Sequence, residues 1–290
     1  MISVIIPAYN AEYEIRSCLS SLQEQSIDKN SFEVIVVDDG STDGTAQEAE
    51  SMGARVFTQA NSGPASARNK GAMEAFGDIL VFTDADCELD RDFLQNICRP
   101  LLEDSSIVGV QGRYLTRQDE TIARFAQYEI EERYQIYGKK RFISMIGTYA
   151  AAYRKEVFLN NGMFDTSFPI ASGEDFAFSG KLALQGYKMV FVHRAVCYHR
   201  HPDSISGYFR QKYLRAYWRN LLYKNNTNIM LKDDYTPQML KLQVGLTLLL
   251  PFFLLAIICL SLNGFATHAL SVLLVWIFVF LVSTVPLFKI

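Results

Sequence analysis

Neither sign of charge is in excess: lysine and arginine total 28 against 31 aspartates and glutamates, a formal net charge of -3. That balance excludes the basic surface with which nucleic-acid binders neutralise phosphates, and no nucleic acid is expected as a partner. Cysteine is scarce. Cys18, Cys87, Cys98, Cys197 and Cys259 are odd in number and share no metal-like spacing. This excludes a disulfide framework and fits reduced residues of a cytosolic compartment. The N-terminus lacks a basic region, and Pro7 and Asn10 break its apolar run, so it does not read as a secretory signal. The polar part is expected to stay where it is made. Low-complexity linkers and internal repeats are absent. Charge is also nearly missing from the last fifty residues, so the 49% hydrophobic content averages two different materials.

In the charged part, short apolar runs alternate with helical patterns. Residues 2–6 (ISVII) read as a buried strand ended by Pro7, and 32–37 (FEVIVV), 55–58 (RVFT) and 78–83 (DILVFT) as further strands. Residues 107–111 and 188–192 add two more. Ile15, Cys18, Leu19 and Leu22 mark one helical face, and 65–76, 119–137 and 174–185 read as helices. Strands and helices alternating in this way predict an open α/β sheet of mostly parallel strands, with ligands beyond the strands' carboxyl ends. The acidic residues cluster there.

Residues 204–223 (SISGYFRQKYLRAYWRNLLY) interleave Arg210, Lys212, Arg215 and Arg219 with aromatic rings. That composition suits a membrane interface, where rings sit at headgroup level and cations meet anionic lipid. Residues 244–262 and 269–288, separated by NGFATH, each supply roughly the 20 apolar residues that span a bilayer. A transmembrane helical hairpin is expected. Lys224, Lys232, Lys241 and Lys289 place both its ends on the cytoplasmic side. The domains so drawn are 1–203, a catalytic α/β domain; 204–242, an interface helix and linker; and 243–290, two membrane helices.

Three acidic constellations carry the chemistry. Asp38-Asp39-Gly40-Ser41-Thr42-Asp43-Gly44 follows a strand, where carboxylates and turn amides can hold a base or ribose. Asp39, Ser41, Asp43, Gly44 and Glu50 also match an EF-hand loop, but that loop needs a helix before it and FEVIVV is a strand, so calcium is rejected. Asp84-Ala85-Asp86 ends the strand DILVFT; two carboxylates flanking one residue can converge on a hard cation that also holds a diphosphate. Ser172-Gly173-Glu174-Asp175 opens a helix, where acids serve as caps or, for Asp175, as a general base.

The ordered set SVIIPAYNAEYEI, VIVVDDGSTDGT, SGPASARNKGA, ILVFTDAD, GMFD and GED resembles the family 2 glycosyltransferases of GT-A fold, over residues 2 to about 218. The resemblance implies a mixed, mostly parallel Rossmann-like sheet and a donor that is a nucleotide-diphosphate sugar of UDP or GDP. It places Pro7, Ala8, Tyr9 and Glu12 around the nucleotide, Asp39 on the base, and Arg68 near nucleotide or diphosphate. It puts Asp84 and Ala85 toward ribose or sugar, and Asp86 on Mn2+ or Mg2+. Asp175 is then the base, with Glu174 orienting base or acceptor. His199, in CYHRHP, resembles a metal-bound histidine of some relatives, and could equally belong to the basic membrane-proximal face; His201 is a weaker candidate.

These parts imply a metal-dependent hexosyltransferase-type enzyme that inverts the anomeric carbon by one displacement. Processive synthases of the family carry Gln-x-x-Arg-Trp. Here Gln211, Arg215 and Trp218 have the types without the spacing, so transfer of a single sugar is expected. The Glu174-Asp175 pair favours a hydroxyl acceptor, and the membrane segments a lipid-linked glycan. The alternatives are a polyprenyl-phosphate sugar synthase, whose phosphate acceptor has little need of a base, and a non-catalytic, membrane-tethered nucleotide-sugar or glycan binder. A sugar-1-phosphate nucleotidyltransferase would want a glycine-rich basic loop where PAYNAEYEI stands. A transporter would want ionisable residues inside the spans.

Overall fold

The computed structural model describes residues 1–168, 173–225, 228, 238–263, 265, 268 and 270–277. The chain divides into two compact units, Met1–Tyr235 and Thr236–Ile290.

The first unit is built on strands β1 (Ile2–Ala8), β2 (Phe32–Asp38), β3 (Arg55–Thr58), β4 (Ile79–Phe82), β5 (Glu88–Leu89), β6 (Ile107–Leu115), β7 (Ala151–Arg154) and β8 (Lys188–Tyr198). They form one sheet in the order β3-β2-β1-β4-β7-β6-β8-β5. Around it lie α1 (Glu12–Gln23), α2 (Thr45–Ser51), α3 (Pro64–Glu74), α4 (Phe93–Glu103), α5 (Thr121–Gly138), α6 (Lys155–Asn160), α7 (Glu174–Leu184) and α8 (Ile205–Asn225). The central strands read as continuous apolar runs because both faces are covered. Val4, Ile6, Val36, Ile79 and Val81 pack into one core with Ile15, Leu19, Leu22 and Ile97. Ile5, Ile35, Val37, Leu80 and Phe82 alternate into the other, with Ala67, Phe158, Phe164 and Phe178.

Three expectations change. Pro7 lies inside β1, opposite Val37, instead of ending it. The pairing of β4 with β1 stops at Ile5, so beyond that point β1 is an edge on one side, where a proline costs no ladder bond. The sheet is more mixed than the alternating pattern implies: β7 runs antiparallel to both β4 and β6. Burial alone shaped the apolar runs, and burial carries no strand direction. β6 and β8 also run longer than expected, because an irregularity between Gln111 and Arg113 lets their pairing resume at Arg113 opposite Val196. An added Cβ at Gly112 would meet the Ala195 carbonyl at 2.6 Å, so glycine admits this approach. The extension carries His199 to the end of β4.

In the second unit, α9 (Gln238–Leu262) contains the first expected span. Among the described residues no helix is long and apolar enough to cross a membrane. The expected transmembrane hairpin therefore has no counterpart among the described residues. Of its second span, 270–277 is helical and 278–288 lies outside them, as do Lys232 and Lys289.

Candidate active site

The loops after β1 and β2 are laced together. Asn10, in the left-handed region at φ 48°, donates its amide to Ser41 Oγ at 2.9 Å, while its Oδ1 accepts from the Thr42 amide at 2.8 Å. The Ala11 amide donates to Thr45 Oγ1 at 2.8 Å, and Glu12 Oε2 accepts from the Gly44 amide at 3.2 Å. Ala8 is buried and its carbonyl accepts from the Asp39 amide at 2.8 Å. Tyr9 is half exposed at the rim, beside the partly buried Pro7.

Asp39 is buried and holds the approach to α3. Its Oδ1 accepts from Gln59 Nε2 at 2.7 Å and the Ser62 amide at 2.9 Å, and its Oδ2 from the Gly63 amide at 2.8 Å. A carboxylate has about four acceptor positions, so one on Oδ2 stays free. Gly40 is required beside it: φ is +80°, and a Cβ would stand 2.9 Å from the Asn61 amide nitrogen.

The turn into α3 aims Arg68 beneath the site. Arg68 is 1% exposed; one terminal nitrogen donates to Asp84 Oδ1 at 2.7 Å and the other to Glu174 Oε1 at 2.8 Å. Its Nε is buried without a partner. Burial opposes the guanidinium charge, but Asp84 and Glu174 overcome it and the group stays firmly ionised. Next to it, Asn69 forms a reciprocal pair with the Phe164 main chain, at 2.8 and 3.0 Å. That pair pins the GMFD segment, whose Gly162 and Met163 both have positive φ.

Asp84, Ala85 and Asp86 follow β4. Asp84 turns inward to Arg68, Ala85 is buried, and Asp86 turns outward, its Oδ2 standing 3.2 Å from His199 Nε2. Burial pushes the Asp86 carboxyl up, but the hydrogen bond and charge of His199 outweigh it and hold the pKa below the ordinary range. His199 stacks on Tyr114 at 5.2 Å, and its Nδ1 is buried with no partner. Ligand atoms of Asp84, Asp86 and Cys87 lie within 4.8 Å of one another. The Cys87 thiol, hydrogen-bonded to the free thiol of Cys197 and buried, is pushed well above its ordinary pKa, so it stays protonated. The donors that suit Mn2+ or Mg2+ are thus the carboxylates; the imidazole of His199 favours Mn2+ of the two. His201 is buried and bonds Gln127 Oε1 at 2.9 Å; burial first, then the charges of His199 and Arg215, lower its pKa to about 4. It packs as a neutral core residue.

Asp175 opens α7 behind Gly173, at φ +127°; Ser172 lies outside the described residues. Asp175 Oδ1 accepts from its neighbour Phe176's amide at 2.8 Å, and Oδ2 from the Thr148 amide at 3.3 Å. Burial raises its pKa above the usual carboxylate value, against the lowering pull of Arg68 and these amides. Glu174 is 1% exposed and committed to Arg68. The structure therefore joins Asp84, Arg68 and Glu174 by ion pairs, with Asp175 next to Glu174 in the chain and within the field of Arg68, and Asp86 paired with His199 two residues beyond Asp84.

Sequence reasoning missed the floor of this site. Gln111 accepts from the Gly147 amide at 2.5 Å and donates to the carbonyls of Gly112 and Ala150. This fixes the 147–150 turn that offers Thr148 to Asp175. Tyr149 caps Tyr114 with ring centroids 4.1 Å apart and shares a 2.9 Å hydrogen bond with Tyr134. No periodicity marks such a turn; a lone glutamine in an apolar strand was the available signal.

Comparison with known proteins agrees with this geometry. The chain is 27% identical over 234 residues to the glycosyltransferase GlyA of Streptococcus pneumoniae, covering 74% of this chain and 33% of that protein. It is 26% identical to the glycosyltransferase AglE of Haloferax volcanii, covering 74% of this chain and 71% of that one. Among solved structures, the mannosyltransferase PcManGT of Pyrobaculum calidifontis, in complex with GDP-Man and Mn2+, superposes with a TM-score of 0.58 and 26% identity. That match covers 74% of this chain and 60% of the other. Staphylococcus aureus TarS shares the fold at a TM-score of 0.54 and 23% identity, over 71% of this chain and 60% of its own. The chain thus spans only a third of GlyA and under two thirds of these two structures. The family model for glycosyl transferase family 2 matches residues 3–161, more than half of the sequence, and with the GT-A-like sheet beneath it the chain belongs to that family.

Proposed function

We propose that the chain transfers a single sugar from a nucleotide-diphosphate sugar to a hydroxyl, with inversion, and that the acceptor is a lipid-linked glycan at the cytoplasmic membrane face. The observation that carries the reading is the run of ion pairs Asp84–Arg68–Glu174, with Asp175 directly after Glu174 and within the field of Arg68, which sets a donor-side carboxylate and a candidate base in one frame.

In this reading the nucleotide lies over the laced loops after β1 and β2, along Pro7, Ala8, Tyr9 and Glu12, with the free acceptor position of Asp39 toward the base. Asp84 and Ala85 face the ribose or sugar. Asp86 and His199 would hold a divalent cation, Mn2+ or Mg2+, which when bound neutralises the departing diphosphate. Asp175 takes the proton of the acceptor hydroxyl as its oxygen bonds to the anomeric carbon. The bond from that carbon to the phosphate oxygen breaks, and its electron pair leaves with the nucleoside diphosphate. A carboxyl with a raised pKa suits this task, because a stronger base accepts the proton more readily near neutral pH. Glu174 and Arg68 position the base from beneath without reaching solvent.

Support for the donor class comes from PcManGT, which binds GDP-Man with Mn2+. For the acceptor it comes from a Methanococcus voltae dolichyl-phosphate-linked sugar transferase, 24% identical over 81% of this chain. The apolar sequence after residue 243 supports an integral membrane location.

The test is donor binding and hydrolysis with UDP- and GDP-sugars and Mn2+ or Mg2+, on the full chain in detergent. One donor should bind in a metal-dependent way, binding should vanish in Asp86→Ala, and Asp175→Asn should bind without turnover. Binding of no donor with either metal refutes the catalytic reading.

A further inference from the structure

Helix α8 has its amphipathic faces reversed for a helix packed on a water-soluble domain. Ile205, Phe209, Tyr213 and Tyr217 recur at every fourth residue and are 62%, 65%, 70% and 55% exposed. Gln211, Lys212, Arg215 and Arg219 are drawn toward the protein instead and are only partly exposed. Lys212 pairs with Glu129 of α5 at 2.5 Å, and Arg219 lies over the Phe176 ring at 4.9 Å. The ordinary arrangement puts the apolar stripe on the core and the charges in water. Here the domain satisfies the charges and leaves the rings outside. The patch continues onto α5, where Phe125 packs against Tyr208 at 5.7 Å and is itself exposed, as is Tyr128. Exposed aromatic and apolar surface of this extent marks a contact with something apolar.

We infer that this face of α8 lies in the headgroup layer of an anionic lipid bilayer. Exposed Arg210 and Lys224 border the ridge, and the sequence from residue 204 to 232 has no carboxylate. A second copy of the chain would bring the exposed cations of α8 together across a two-fold axis, with no carboxylate on α8 itself to pair them. Lipid phosphates pair them, and the headgroup region accepts tyrosine rings at its depth. Taken by itself, α9 of the second unit exposes Leu248, Phe252, Leu255 and Ile258. Docking has a consequence for the site. The inner face of α8 touches the entrance to α7, through Arg219 on Phe176 and Trp218 against Phe168 at 6.1 Å. Phe176 directly follows Asp175, so the lipid surface and the candidate base are separated by one helix. The inference stands whichever sugar is moved.

The experiment uses the full chain with Cys259→Ser, because Cys259 is the exposed cysteine and the other four are buried. An environment-sensitive fluorophore is attached at Tyr213→Cys, and in separate preparations at Tyr217→Cys and at the exposed control Glu103→Cys. Each is reconstituted into phosphatidylcholine vesicles with about one-third phosphatidylglycerol, or with none, and quenched with acrylamide. At 213 and 217 emission should shift blue and quenching should fall at least about threefold below the control, more so with the anionic lipid, as for an interfacial helix. Equal quenching at all three positions overturns the inference. So does shielding already present in detergent that rises with protein concentration, which assigns the face to a second copy. Donor hydrolysis on the same preparations reports separately on the catalytic reading.

Discussion

Arg68→Met removes a cation that two carboxylates share. Asp84 is about one-third exposed and can recover water, whereas Glu174 is 1% exposed and cannot. The cost therefore falls on Glu174, a buried carboxylate that loses its ion pair with Arg68. Breaking a buried pair from one side costs about 3–5 kcal/mol. For a domain of this size each kcal/mol moves the Tm by roughly 2–4 °C, so a fall of roughly 6–20 °C is expected. Thermal unfolding of the full chain in detergent, followed by near-UV circular dichroism, reads it. The second half of the cycle isolates the cause: Arg68→Met with Glu174→Gln should regain at least about half of the loss, because the buried charge that lost its cation is gone. Arg68→Lys should fall between, since one ammonium cannot reproduce a fork that serves two acceptors. The reasoning is refuted if Arg68→Met costs less than about 1 kcal/mol, or if the double variant is no more stable than the single one.

Asp175 should show the opposite stability sign to a paired acid. Its folded pKa is raised, by burial above all, so the neutral form is favoured in the fold; stability is greatest below the unfolded value of about 4 and is lost as pH rises through the folded one. Asp175→Asn should thus raise the Tm at mildly alkaline pH, with the gain closing near pH 4; a gain unchanged by pH rejects the raised value. Wild-type kcat/KM should fall as pH drops through the same raised pKa, and a flat acid limb would remove Asp175 as base. Asp86→Ala should abolish metal-stimulated donor hydrolysis while moving stability by no more than about 0.5 kcal/mol, as expected of an exposed carboxylate; a large Tm loss would make Asp86 structural. Gly40→Ala should destabilise by at least about 1–2 kcal/mol and weaken donor binding, because the left-handed backbone and the Asn61 amide both refuse a Cβ; an unchanged donor Kd and Tm would contradict that.

What the sequence disclosed follows from which constraints are local. β1, β2 and β4 are buried on both faces, so ISVII, FEVIVV and ILVF announce themselves as strands, and the acids that follow them sit beyond their carboxyl ends for that reason alone. The capping position of Glu174 and Asp175 at the start of α7 is equally local. The partner of Glu174 is not: Arg68 lies 106 residues earlier in the chain and looks from sequence like a surface cation near a phosphate. Its burial depends on two helices meeting, which no window of residues records. The same limit hid the antiparallel entry of β7, since Ala151–Arg154 would pair in either direction. Residues 204–223 were legible in composition, as rings and cations, but the reversed faces of α8 needed the neighbours on α5 and α7 to become visible.

Asp84 and Asp86 stand one residue apart and hold opposite partners, and this division decides what the site can bind. Asp84 turns down to a buried arginine; Asp86, itself exposed, turns up to the largely buried imidazole of His199. With Glu174 and Asp175 the cluster offers four carboxylates against the guanidinium of Arg68 within it and that of Arg219 beside Asp175. A nucleoside diphosphate adds further negative charge to this excess. At an effective dielectric of about 20, two unit charges 4 Å apart repel by about 4 kcal/mol. Arg68 does little to oppose this, because both its terminal nitrogens are already taken by Asp84 and Glu174. Donor affinity should consequently depend on the divalent cation far more steeply than acceptor affinity does. Titration of donor binding against Mn2+ tests this directly. A donor Kd that changes less than about tenfold, or 1.4 kcal/mol, when Mn2+ is chelated would mean that the carboxylates do not face the diphosphate.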